Sequence, residues 1–258
     1  MAPILKTLRQ TVFKTRPIQS SSLPDEEKHI VEAGQQFELH SYTFERNHVR
    51  FALSKESFKG RNTWYAFGQH VQIFADGGKQ AIAYPKPRPN SIKLPVPYKS
   101  QLDNWYNPTG SCNVTSIAMC LEYLKTPRKT YVGQFEDELY QYALSKGLNR
   151  HEPEHLAIIV RDYGRKDDFK RNATIDAVKD WLAARNPCVI HGYFTSFGHI
   201  IVVVGYDPNG FIVHDPYGEW FSDGYRTDLS GAYLHYSYGL IRRTCIPDGS
   251  FWVHFISA

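Results

Sequence analysis

Four residues have the types and the order that thiol-mediated acyl transfer requires: Gln101, Cys112, His199 and Asp215. Such chemistry needs a thiolate nucleophile, a base to take its proton and a third group to orient the base. Cys112 opens CNVTSIAMCLEYL, where Val114, Ile117, Ala118, Leu121 and Leu124 recur at helical spacing. The spacing predicts an amphipathic helix with Cys112 in its first turn and Ser111 able to cap the free N–H groups. Those N–H groups and the helix dipole favour an anion, so a thiolate is stabilised there. The other use of such a residue is an inert buried thiol. His199 opens the apolar run HIIVVVGY, and Asp215 follows in HDPYG. A carboxylate beside the imidazole could fix its tautomer, although a core histidine and a turn-forming aspartate fit the same two positions. The amide of Gln101 could pair with the Cys112 backbone N–H or serve a developing oxyanion, unless it is an ordinary surface glutamine.

Elements must bring these residues together. The Cys112 helix is followed by predicted helices over 134–146, 154–163 and 174–185, the last capped by Thr174. Apolar runs at 188–193, 199–206 and 211–214 then read as strands, and 250–256 as a late one. Asp207-Pro208-Asn209-Gly210 is a tight turn, so the strands on either side form a hairpin that carries His199 and Asp215. Helices first and antiparallel strands afterwards make an α+β domain.

Residues 1–84 differ. Short stretches at 10–14, 29–32, 36–42, 48–53, 63–66 and 71–74 alternate apolar and polar residues, which predicts a small β-barrel. Trp64, Tyr65 and Phe67 suit its core or a ligand groove. The proline-rich stretch 85–97 reads as a linker, and the second domain as 98–258. Charge divides likewise, with 15 Lys+Arg against 8 Asp+Glu in residues 1–100 and 15 against 18 beyond. A basic first part suits an anionic polymer such as cell wall, or a solvated face that binds nothing.

Four cysteines without a CxxC pair argue against a zinc site and a disulfide framework. No P-loop, dinucleotide fingerprint, HExxH or EF-hand loop is present, so no metal or cofactor is expected. Asp167 and Asp168 read as a solvated acidic pair, and His151 and His155 as residues of a predicted helix outside the site. No apolar run is long enough to span a membrane, and the first residues lack the apolar core of a secretory signal. Synthesis in the cytoplasm without a signal peptide is the expectation, with no nucleic-acid partner.

The order VPYKSQ, SC at a helix start, GHIIVVVGY and HDPYG resembles the papain-like cysteine peptidases of the C39-like group over residues 98–220. The resemblance implies Cys112 as nucleophile, His199 as general base and then acid, Asp215 as orienter and Gln101 as oxyanion donor. Asn113 stands where many relatives have glycine. The first domain resembles bacterial SH3-like modules, and the pairing is similar to phage endolysins and bacterial wall hydrolases. It implies a peptidoglycan endopeptidase or amidase that reaches the wall after holin-type release. A peptidase or acyl-transferase acting on a protein or leader peptide, and a retired two-module binding protein, are the other functions weighed.

Overall fold

Alternating apolar and polar residues can bury one face of a strand and solvate the other, and the first third of the chain does so. The computed structural model describes residues 2–45, 47–83 and 88–258. The chain divides into two compact units, Met1–Pro87 and Arg88–Ala258. In the first, the strands are β1 (Ile4–Thr7), β2 (Thr11–Lys14), β3 (Lys28–Val31), β4 (Gln36–Glu45), β5 (His48–Leu53), β6 (Thr63–Phe67), β7 (Val71–Ala75) and β8 (Gln80–Ile82). They form one antiparallel sheet in the order β3-β2-β6-β5-β4-β1-β7-β8. Leu5, Phe13, Leu39, Phe51, Trp64 and Ile73 make its core. Trp64 is buried with its indole N–H on the Arg61 carbonyl, whereas Tyr65 is half-buried. Two strands were not expected from sequence, β1 and β8. β1 is only 4 residues long and is held from both sides by β4 and β7, pairings that no local window contains.

The second unit contains β9 (Ile92–Lys93), α1 (Cys112–Tyr123), α2 (Phe135–Ser145), α3 (Pro153–Asp162), β10 (Lys166–Lys170), α4 (Ile175–Ala183), β11 (Cys188–Gly192), β12 (His199–Tyr206), β13 (Gly210–His214), β14 (Glu219–Phe221), β15 (Gly224–Arg226), β16 (Leu234–Ser237), α5 (Tyr238–Cys245) and β17 (Val253–Ser257). Its main sheet runs β10-β17-β11-β12-β13-β16, with β9 added on β12. All of its strand pairs are antiparallel, so the unit is a mixed α/β fold of five helices against antiparallel sheet. Among the described residues no helix is long and apolar enough to cross a membrane.

The expected linker needs correction. Its residues 85–87 lie outside the described residues, but from Ile92 onward the stretch is part of the second unit. Lys93 and Ile92 pair with Gly205 and Tyr206, and Leu94 and Val96 are buried in the core. Pro95 and Pro97 keep the chain extended while their neighbours alternate into the core, a use of proline open to an edge strand. Gly205 permits the pairing, because a Cβ there would stand 2.3 Å from the Ile92 carbonyl oxygen. Helix α1 also departs from expectation. Thr115, Ser116, Met119 and Cys120 are buried along with its apolar stripe, so it is a central helix and not an amphipathic one.

One buried charge ties the loop before α2 to the helices. Glu138 accepts from Arg128 Nε (3.0 Å), the Lys129 N–H (2.7 Å), Thr130 Oγ1 (3.0 Å), the Tyr131 N–H (3.0 Å) and the Tyr163 hydroxyl (3.0 Å). Burial would push its carboxyl up, but these donors hold it down at about 2. A depressed acid stabilises the fold above its unfolded value and loses that contribution as pH falls toward the folded one. Glu138→Ala removes the counter-charge of Arg128, leaving its guanidinium only the carbonyls of Val132, Gly133 and Gln134, and a loss of about 3 kcal/mol is expected in denaturant unfolding at pH 7. The deficit relative to the parent should shrink as the pH drops below 4.

Candidate active site

Cys112 is the first residue of α1, and the helix is anchored where His199 begins β12. Ser116, one turn after Cys112, donates its hydroxyl to the Ile200 carbonyl at 3.1 Å. The β12–β13 hairpin forms as its turn chemistry predicts, with Asp207 Oδ1 accepting from the N–H groups of Asn209 (2.7 Å) and Gly210 (3.0 Å). Val202 pairs with His214, which carries Asp215 toward the His199 end of the ladder. There His199 Nε2 lies 2.7 Å from Asp215 Oδ1, and both side chains are buried.

Asp215 occupies the Nε2 side of the ring, which leaves Nδ1 for the Cys112 thiol. Burial pushes that thiol up, but the His199 charge and hydrogen bond and the Ile200 backbone N–H outweigh it, so the net shift is downward. Burial pulls the imidazole down, and the Asp215 charge followed by the thiol lifts it to about 10. Both shifts favour a thiolate–imidazolium pair, the form that makes a thiol nucleophilic. The other cysteines move the other way. Cys120 and Cys188 are raised by burial, and Cys245 is pushed up to about 12.

The Asp215 carboxylate is held by groups the sequence did not announce. Asp215 Oδ2 accepts from the hydroxyls of Tyr225 (2.9 Å) and Tyr236 (3.0 Å), and Oδ1 accepts also from the Tyr217 N–H (3.1 Å). Four donors satisfy a buried carboxylate that would otherwise be too costly to keep charged. Burial and then the Asp215 charge raise both tyrosines, so each remains a donor. The Tyr225 ring also meets the His199 ring edge-on at 5.4 Å. Gly231 lets this corner close, since a Cβ there would fall 1.8 Å from the Asp215 carbonyl oxygen. The only hint in the sequence was the density of aromatic residues between 217 and 238.

Gln101 is 1% exposed and sits beside this corner. Its backbone N–H donates to the Pro216 carbonyl at 2.8 Å, and the Tyr98 hydroxyl donates to the Asp215 carbonyl at 3.2 Å. Its side chain differs from expectation. Nε2 donates to the Pro108 carbonyl at 2.8 Å, and Oε1 has no partner, so the pairing with the Cys112 N–H is not made. Ser111 does not cap α1 either; its hydroxyl is turned to the Tyr106 and Asn107 carbonyls, both at 2.8 Å. Asn113 has ordinary helical backbone and a structural side chain, with Nδ2 on the Arg150 carbonyl at 2.9 Å and Oδ1 accepting the Val114 N–H at 2.8 Å. His214 is bound to the Val96 carbonyl and the Tyr233 N–H and stays out of the site.

A cleft of 240 Å³ opens over Cys112 and His199, with His151, His191, Phe197 and Trp252 in its walls. His151, set aside on sequence, precedes α3 and faces this cleft. Asp167 is buried, not solvated as expected. Its Oδ2 lies 2.9 Å from His254 Nδ1, and His254 Nε2 lies 3.0 Å from His191 Nε2, so the chain of polar groups ends at the cleft wall. Phe197 is 100% exposed and Tyr193 68%, leaving two large apolar side chains on the loop that leads to His199.

The family model described as the Peptidase_C39 like family matches residues 93–246. Among solved structures, the chain is similar to a C39-like peptidase from Bacillus anthracis, with 16% identity and a TM-score of 0.46, over 66% of this chain and 99% of that one. It is also similar to a double glycine motif protease from an AMS/PCAT transporter in complex with the leader peptide, with 18% identity and a TM-score of 0.41, over 64% and 94%. A search of curated proteins found no match.

Proposed function

Because this chain belongs to the Peptidase_C39 like family, a family of cysteine peptidases, we propose that it cleaves amide bonds in peptidoglycan through an acyl-enzyme on Cys112. The observation that carries the proposal is the line from the Cys112 thiol through the His199 ring to Asp215 Oδ1. The thiolate attacks the scissile carbonyl, forming the C–S bond as the carbonyl electrons move to oxygen. The oxyanion collapses, and His199 Nδ1–H gives its proton to the leaving amine. Water then attacks the thioester, His199 takes the water's proton, and the thiolate leaves as the acid is released. Asp215 keeps Nε2–H in place through the cycle.

Gln101 is read as the oxyanion donor, using the amide N–H that the Pro108 carbonyl leaves over. Its backbone bond to Pro216 supports the reading by fixing the loop against the Asp215 corner. Gln101→Ala should lower kcat by about 10²–10³-fold with little change in KM, as measured for removal of other oxyanion donors.

The first unit is read as an SH3-like wall-binding module, supported by its short antiparallel strands and the basic balance of residues 1–100. Together the two units make an endolysin-type enzyme. A second reading, a peptidase or acyl-transferase acting on a protein or leader peptide, is favoured by exposed Phe197 and Tyr193, which suit an apolar peptide segment. Mass spectrometry of products from purified sacculi and from apolar peptides separates the two. New amino groups on wall stems or cross-bridges support the wall reading, and cleavage confined to the peptides sinks it.

A further inference from the structure

The first unit has a cavity of its own, 640 Å³ in volume, walled by β2, the start of β5 and the turn after β6. Lys14 lines it at 6% exposure, an unusual place for an ammonium. Nζ donates to the Ile18 carbonyl at 2.6 Å and meets His48 Nε2 at 2.9 Å. Both partners are neutral acceptors, and among the described residues no carboxylate forms an ion pair with Lys14. A buried ammonium without a counter-charge is costly, and among the described residues one N–H of Lys14 is left over.

The remaining walls extend the pattern. His70 Nδ1 bonds Thr11 Oγ1 at 3.1 Å, and the Phe67 ring packs edge-on against both His48 (5.7 Å) and His70 (5.1 Å). Val12, Pro17 and Ile18 supply apolar wall, Gln10 and Gln19 supply amides, and no acidic residue lines the space. Two acids that act on its lining residues are turned to other uses or act from outside. Glu32 accepts from the Gln10 amide, and Glu45 acts on His48 against the stronger pull of Lys14. Arg9 adds a second positive charge near His70. Both histidines are held below the usual imidazole range, by burial first and then by these cations, and the bonded Thr11–His70 pair keeps one of its two hydrogens to donate.

We propose that this cavity binds the terminal carboxylate of a short peptide, with Lys14 as its counter-ion and the Thr11–His70 pair as a neutral donor. One buried positive charge matches a singly charged carboxylate better than a dianionic phosphate. The volume is in the range of small-ligand sites, and the apolar and amide walls suit the residues that precede the carboxylate. The site is independent of the Cys112 chemistry, and binding is read separately from cleavage.

The test is calorimetry on the full chain with N-acetyl-Ala-Ala, its C-terminal amide and inorganic phosphate. The acid should bind, the amide should not, and Lys14→Met should weaken the acid at least about 10-fold while cleavage of a short soluble peptide is unchanged. His70→Gln, at a half-buried position, gives a second reading should Lys14→Met unfold, and it should weaken the acid as well. Equal binding of acid and amide, no binding of either, or acid binding that survives both substitutions overturns the proposal. Tighter binding of phosphate than of the acid overturns the carboxylate assignment.

Discussion

Cys112→Ala is expected to abolish release of amino groups from any substrate the parent cleaves, a loss of about 10⁵–10⁶-fold in kcat by analogy with removal of a nucleophile elsewhere. The substitution deletes one sulfur from a half-buried position at the start of a helix whose packing lies further along, so the fold should survive it. The thiol itself can be interrogated in the parent. At about pH 6 iodoacetamide should label Cys112 and leave Cys120, Cys188 and Cys245, because only the first is both accessible and lowered. Reactivity should decline as pH falls and the thiolate is protonated. Turnover should fall at alkaline pH as His199, raised to about 10, gives up the proton that the leaving amine needs. Full activity in the alanine variant, or equal labelling of all four cysteines, would remove Cys112 from the mechanism.

Asp215→Asn should lower kcat/KM at neutral pH by about 10–10³-fold and move the alkaline limb of the rate profile toward lower pH. An amide oxygen can still accept His199 Nε2–H, so ring orientation is largely kept and the effect isolates the charge. Opposite charges at this range shift a pKa by about 1–3 units, which is the origin of the expected span. His199 then holds its proton less well, and the population of the thiolate–imidazolium pair declines in proportion. Tyr225 and Tyr236 complicate the outcome in an informative way. Each loses its charged acceptor, and a buried hydroxyl without a strong acceptor weakens the β15 and β16 corner. A loss of activity with an unshifted pH profile would mean that Asp215 acts through packing alone.

Much of the site was legible because it is encoded locally. Cys112 at a helix start, His199 at the head of an all-apolar strand and the Asp207 turn each declare themselves within a window of a dozen residues, through periodicity and turn chemistry. From those pieces the hairpin, and with it the approach of His199 to Asp215, follows by elementary strand pairing. What tertiary structure alone decided is the set of contacts between residues distant in sequence. No pattern in a local window ties the Gln101 backbone to Pro216, or brings Tyr225 and Tyr236 onto one carboxylate oxygen. The same holds for Asp167, which reads as a solvated charge beside Asp168 and is instead buried against His254 from the last strand. Strand β9 and the burial of Leu94 and Val96 likewise depend on a partner more than a hundred residues away. Propensity and periodicity report how a segment buries its own face. Which polar groups meet behind that face is set by the chain as a whole, because each buried donor and acceptor must find its partner wherever the fold supplies one.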